Sequence, residues 1–167
     1  KFRELKTDAA ALSMSYALYN NTSLEDLTSP ISTTGSISWS GPLLYKCTTL
    51  TKIIGALDVS CGASFNNIFP TSTQTGITGS VTFKRLKANF TFTGRSKVTE
   101  IRLIEPQSAM QSFDISSCGL GKIALNTLFN DLPTITNGST ITVTGNPGAL
   151  ACDISIATKK GWNVIVK

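Results

Sequence analysis

The ten residues LYNNTSLEDL at 18–27 return 26 positions later as LYKCTTLTKI at 44–53. Leu18 falls on Leu44, Tyr19 on Tyr45, Thr22 on Thr48 and Leu24 on Leu50, while Ser23 faces Thr49 and Leu27 faces Ile53. At the same shift Ile31 meets Leu57, Ser38 meets Ser64, Trp39 meets Phe65 and Leu43 meets Phe69. A fixed repeat of this length constrains the fold strongly. One unit cannot bury its apolar face alone, so successive units must stack into a solenoid. Asn21 faces Cys47, which makes that cysteine a repeat-position residue rather than half of a disulfide.

A second correspondence lies further along. ALDVSCG (56–62) resembles SFDISSCG (112–119), with Leu57, Asp58, Val59 and Ser60 facing Phe113, Asp114, Ile115 and Ser116. SFNNIFP (64–70) follows the first and ALNTLFN (124–130) the second, matching Phe65 with Leu125 and Phe69 with Phe129. The runs ALDVS, SVTFK, NFTFT, TEIRLIE, SFDIS, TITVTG and NVIVK alternate or carry β-branched residues between Gly, Ser, Thr and Asn, and predict short strands. Three stretches predict helix. They are 7–20, capped by Thr7 or Asp8; 121–133, with Ile123, Leu125, Leu128, Phe129 and Leu132, stopped by Pro133; and 155–162, closed by Gly161. Residues 71–80 read as a loop or irregular coil, and the repeat blurs between about 70 and 110.

The chain's 167 residues suit one domain or a short repeat array. Only 15% are charged, with Ser, Thr, Gly and Asn filling the difference, which suits a turn-rich extracellular or virion protein. The net charge is +5, and the basic residues are scattered except at Lys84, Arg85 and Lys87 and at Lys159 and Lys160. These read as solvated positions. A nucleic-acid partner is not indicated, since phosphate binding needs a clustered basic face. Lys84, Arg85 and Lys87 are the candidate contact surface. Phe90 and Phe92 beside them either join it or line the inner face of a strand, and the inner face is preferred. No apolar run is long enough to span a bilayer. The opening KFRELKTDAA turns polar after Phe2, unlike a signal peptide, and a chain starting at Lys is either processed or part of a longer polypeptide.

The four cysteines, Cys47, Cys61, Cys118 and Cys152, have no C-x-x-C spacing, and the chain has no histidine. Zinc would need all four at unusual separations. Disulfides are open in an oxidising compartment, but buried thiols are the preferred reading. Without histidine, Ser-His-Asp and Cys-His catalysis are gone, leaving a carboxylate pair as in glycosidases. Asp58 and Asp114 are the pair to consider. They read better as outward or turn-bonding residues of the repeat. GSISWSG (35–41) lacks the Lys-Ser/Thr of a phosphate loop, no calcium-loop consensus occurs, and the sequons at Asn20, Asn21, Asn89 and Asn137 read as turns. No catalytic residue, cofactor or metal ligand is assigned.

YNNTSLEDL, YKCTTLTKI and the following ALDVS resemble the irregular leucine-rich repeats of the BspA-like class, found in phage fibre and virion proteins and in bacterial surface proteins. Their pattern is aromatic-x-N/C-x-S-L-x-x-I followed by an apolar-D-x-S strand. Residues 125–166 resemble a terminal unit of such proteins: helix, strand, short helix, strand. Over about 70–111 the S-L-x-x-I phrase is missing. The resemblance implies an α/β, β-rich fold: a short leucine-rich-repeat-like solenoid with parallel strands and a C-terminal capping unit. Residues 1–16 would be an N-terminal anchor or helical lead-in, 17–167 the solenoid, and 120–167 its cap. In GNPGA, Pro147 removes a backbone donor and Gly145 and Gly148 permit positive φ, so the chain leaves the strand and Trp162 can fold over the last coil. Leu24, Leu50, Leu57, Phe65, Phe113, Leu125, Phe129 and Trp162 are the expected repeat and cap residues.

The implied function is a non-catalytic structural or adhesion protein of a phage virion: a tail fibre, head fibre or decoration protein. It would touch other virion proteins or a host-surface protein or glycan, within a larger assembly of which a homo-oligomer is one form. The alternatives are a bacterial cell-surface adhesion module and, behind it, a polysaccharide-processing enzyme on a solenoid.

Overall fold

The computed structural model describes residues 5–7, 11–13, 18, 20–28, 31–33, 36–38, 46–58, 76–86 and 89–167. The first half contributes strands β1 (Leu5–Thr7), β2 (Ala11–Ser13), β3 (Asp26–Thr28), β4 (Ile31–Thr33), β5 (Ser36–Ser38), β6 (Lys52–Ile54) and β7 (Ala56–Asp58). The second contributes β8 (Gly79–Lys84), β9 (Phe90–Thr91), β10 (Val98–Ile104), β11 (Ser112–Asp114), α1 (Lys122–Asp131), β12 (Thr140–Thr142), α2 (Ser155–Thr158) and β13 (Asn163–Ile165). Every strand pairing among the described residues is parallel. The result is a β-rich solenoid of about four turns with few helices.

The register of the stack is the repeat read from the sequence. Leu27 pairs with Ile53 in β3–β6, and Leu57 with Phe83 in β7–β8. Ile31 pairs with Leu5, again one 26-residue unit earlier. Farther along, the coil length changes. Val81 pairs with Ile101 across β8–β10, Phe90 with Phe113 across β9–β11, and Phe113 with Ile141 across β11–β12. These partners lie 20, 23 and 28 residues apart, so a constant shift loses the repeat between 70 and 110. Within β10 the register also slips between Val98 and Glu100. The extra residue puts Val98 and Ile101 both inward although they are three apart.

Two readings are corrected. The stretch 7–20 does not supply a helix: its described part includes β2, which pairs with β5, and β1 before it pairs with β4. Ala and Leu carry helix propensity, but pairing in the stack outweighs it. ALDVS and SFDIS, although alike, are not stacked equivalents. β7 belongs with β8 and β10, whereas β11 lies between β9 and β12 in a different sheet. Both phrases place an apolar residue inward, Leu57 and Phe113, and a short local pattern can do that in either sheet.

Rungs connect successive coils in two runs, Asn21 to Cys47 and Arg95 to Asn146. A left-handed residue precedes each rung: Asn20 (φ 56°), Lys46 (61°), Gly94 (74°), Ser117 (55°) and Gly145 (73°). The rungs are Asn21, Cys47, Arg95, Cys118 and Asn146. The Cys47 Sγ donates to the Leu18 carbonyl at 2.8 Å, the Cys118 Sγ to that of Phe92 at 3.1 Å, and the Asn146 Nδ2 to that of Ile115 at 2.9 Å. Each acceptor stands three residues before the preceding rung. The turn at the rung repeats too: Leu24 N–H donates to the Asn21 carbonyl and Leu50 N–H to that of Cys47, both at 3.3 Å. Buried carbonyls that no strand can reach are satisfied in this way.

Arg95 departs from the Asn/Cys pattern. It is 1% exposed, with its guanidinium 4.1 Å from the centroid of the Phe92 ring and its Nη1 donating to the Thr93 carbonyl at 2.8 Å. Burial pulls its pKa down to about 10, with Cys118 opposing the shift. The Phe92 ring belongs in turn to a cluster with Phe83, Phe90 and Phe113, in which the Phe83–Phe90 centroids are 4.7 Å apart and Phe90–Phe113 5.0 Å.

After β10, helices replace strands on that side of the stack. In α1 the residues Leu125, Leu128 and Phe129 face inward at helical spacing, and Pro133 follows the C-cap Leu132. Ile123, counted among the apolar stripe in the sequence, is 81% exposed. The helix shields the outer edge of β10 through Asp131, which accepts from Arg102 Nε at 2.6 Å, from Arg102 Nη2 at 3.1 Å and from the Leu103 backbone N–H at 3.1 Å. This pairing holds the Arg102 guanidinium above its usual range. Asp131→Ala should cost about 1–2 kcal/mol in a denaturant melt, most of it from the orphaned Leu103 N–H, since Arg102 is largely solvated. Lys160 Nζ in turn donates to the Asn130 and Leu132 carbonyls at 2.6 and 2.7 Å, closing the C-terminus of α1 with a cation.

Candidate interaction surface

The sheet β9–β11–β12–β13 is the widest among the described residues, with four strands. Its central inward residues are Phe90, Phe113 and Ile141, all at most 1% exposed. The alternation that buries them turns their neighbours out. One outward row runs Thr91, Asp114, Thr142, Ile165, and a second runs Ser112, Thr140, Asn163. Strands about 4.8 Å apart and rows two residues apart make a grid of hydroxyl, carboxylate and amide groups that ends on the exposed Ile165. The Asp114 Oδ1 is partly engaged, accepting from the Ser116 N–H at 2.9 Å. That is a turn bond within its own coil.

A second feature is an open groove of about 640 Å³ between β10 and the first turns of α1. Thr99 and Glu100 form one lip and Lys122, Ile123, Ala124 and Thr127 the other. Gly119 and Gly121 complete its lining, and Gly148 packs so closely on the Gly121–Lys122 backbone that a Cβ there would not fit.

The predicted repeat and cap residues are core. Leu24, Leu50, Leu57, Phe113, Leu125, Phe129 and Trp162 are all at most 3% exposed and belong to one cluster, while Phe65 lies outside the described residues. Phe90 and Phe92 are buried, so they do not extend the basic stretch into a contact surface. Lys84 is half-buried and 3.6 Å from Glu105, Arg85 has φ 57°, and Lys87 lies outside the described residues. Asp58 pairs in register with Lys84, and Asp114 with Thr91 and Thr142. The stack therefore does not align the two aspartates as one carboxylate pair. Among the described residues no cluster of three or more His, Cys, Asp or Glu could hold a metal, and no helix is long and apolar enough to cross a membrane.

Comparison with family models, with curated proteins and with solved structures finds no match to this chain. The surface must be read from its own chemistry.

Sequence reasoning missed three rungs, Arg95, Cys118 and Asn146, and the groove. Arg95 and Asn146 each follow a glycine, Gly94 and Gly145, as Cys118 follows Ser117. That left-handed residue is the signal that could have found them. Cys47, Cys118 and Cys152 are free thiols, and Cys61 lies outside the described residues. Burial pushes the Cys47 and Cys118 thiols up, with backbone N–H bonds from Asn21 and Arg95 pulling the other way. A chromogenic disulfide reagent near neutral pH should leave both unreacted in the folded protein and label them on unfolding.

Proposed function

We propose that this chain is a non-catalytic structural or adhesion protein built on a leucine-rich-repeat-like solenoid. In this reading it serves as a phage virion component such as a tail fibre, head fibre or decoration protein, and its last coil is the cap. The observation that carries the reading is the stack itself. Among the described residues its buried polar and aromatic side chains hold coil to coil, and its outward strand residues form a polar face. Trp162, 1% exposed, supports the cap by donating from Nε1 to the Pro133 carbonyl at 2.9 Å.

The contact face is the sheet bearing Thr91, Asp114 and Thr142. Its aromatic residues Phe90, Phe113 and neighbouring Phe92 are turned inward, so a sugar ring finds no stacking platform there. A polar grid suits another protein better. Thr91→Arg with Thr142→Arg should leave the melting temperature within about 2 °C of native, as outward changes do, yet abolish co-sedimentation with particles. Undiminished co-sedimentation of the double variant would remove this face from the proposal.

A further inference from the structure

Asn137-Gly138-Ser139 joins the α1 coil to β12, and it is the one Asn-Gly pair in the sequence. Asn137 and Gly138 are exposed, and Gly138 is left-handed with φ 67°. The residues around them are pinned. The Gly138 carbonyl accepts from Asn163 Nδ2 at 3.0 Å, the Asn163 N–H donates to the Ser139 carbonyl at 2.8 Å, and the Thr140 N–H donates to the Gln111 carbonyl at 3.0 Å. Ser139 is 5% exposed, and its hydroxyl reaches two acceptors, the Met110 carbonyl at 2.6 Å and the Asn137 Oδ1 at 2.8 Å.

We propose that Asn137 is a self-modification site of the folded protein, with Ser139 as the hydrogen-bond donor to the reacting amide. The Gly138 backbone nitrogen, after losing its proton to water, attacks Asn137 Cγ. The N–Cγ bond forms and negative charge develops on Oδ1. The charge collapses, the Cγ–Nδ2 bond breaks and ammonia leaves with a proton from water, giving a five-membered succinimide. Water then adds at either ring carbonyl and opens it to aspartate or isoaspartate. Glycine at 138 matters because it has no side chain to obstruct the attacking nitrogen.

The Ser139 hydroxyl supplies what an exposed Asn-Gly in a free chain lacks. Its proton has the Met110 carbonyl as the nearer acceptor in the resting state, and Oδ1 only slightly farther away. As Oδ1 gains charge it becomes the stronger acceptor, and a donor already aimed at the position where charge develops lowers the barrier. The Asn163–Gly138 and Ser139–Asn137 bonds also restrict the rotations of the attacking peptide unit and of the amide, so fewer conformations must be searched for ring closure. The isoaspartate product runs the main chain through the former side chain. That adds a carbon and a negative charge immediately ahead of β12, at the junction between the last two coils.

The test is ageing of the purified folded chain at mildly alkaline pH, with asparagine, aspartate and isoaspartate at 137 read by peptide mass spectrometry. Position 137 should convert ahead of every other asparagine, with both aspartate and isoaspartate appearing. Ser139→Ala should slow the conversion at least about tenfold, and Ser139→Thr should restore much of it. The same rate in Ser139→Ala as in the native chain would overturn the proposal, as would survival of the Asn137 amide while others convert. If Ser139→Ala does not fold, the native chain with and without denaturant decides. Faster conversion in the folded state upholds the donor, and equal or slower conversion overturns it.

Discussion

Trp162→Ala should lower the stability of the chain by roughly 3–5 kcal/mol in a denaturant melt, the largest loss expected from a single substitution here. The indole is 1% exposed and sits between α2 and β13 at the end of the stack. Its removal leaves a cavity where partner atoms cannot follow, because Gly161 beside it already runs against the Ile135 backbone. The Pro133 carbonyl also loses its donor, the indole Nε1–H at 2.9 Å. Trp162→Phe separates the two effects. It keeps most of the apolar volume and loses the hydrogen bond, so it should recover more than half of the loss. A melt unchanged by Trp162→Ala would mean that the last coil is not packed on the stack.

The second large effect is expected at Asn146. Its Nδ2 donates to the Ile115 carbonyl at 2.9 Å and the Val143 carbonyl at 2.8 Å, and its Oδ1 accepts from the Leu120 N–H at 3.1 Å. The residue is 6% exposed, so Asn146→Ala leaves buried backbone groups without partners. We expect a loss of about 2–4 kcal/mol. Asn146→Asp keeps the shape and the acceptor but puts a carboxylate against two carbonyls, and it should be at least as harmful near neutral pH. Asn146→Cys is the informative control. Cys47 and Cys118 occupy the same rung in earlier coils and reach the same kind of carbonyl. A cysteine at 146 should therefore cost less than alanine, and equal losses would show that the rungs are not equivalent.

These rungs show where the sequence was legible. LYNNTSLEDL and LYKCTTLTKI align because Asn20 and Lys46 share a left-handed backbone and Leu24 and Leu50 share a turn bond. Identical backbone jobs at a constant spacing leave identical patterns. The C-terminal elements were legible for a different reason. α1 has a clear inward stripe and a proline stop, and β12 and β13 alternate cleanly.

Where the coil length changed, the pattern became local only. ALDVS and SFDIS look like one repeat position, yet their strands lie in different sheets, because residue alternation says which side is inward and not which sheet receives the strand. The stretch 7–20 reads as a helix for another reason, its Ala and Leu content, which pairing of β2 with β5 outweighs. Gly94 could have pointed to the turn before Arg95, but not to the burial of its guanidinium. A guanidinium inside a stack is tolerated through the Phe92 ring and the Thr93 carbonyl, contacts that only the folded chain brings together. The outward grid was foreseen only as a general abundance of Ser, Thr and Asn. Its rows depend on which coil lies over which.

The proposed role rests on where the finished stack is found. Density-purified particles from the source culture, digested and read by quantitative mass spectrometry, test this most directly. The account predicts peptides of this chain in those particles at a fixed ratio to other particle proteins. Peptides confined to the cell envelope or the soluble fraction, with none in the particles, would contradict it.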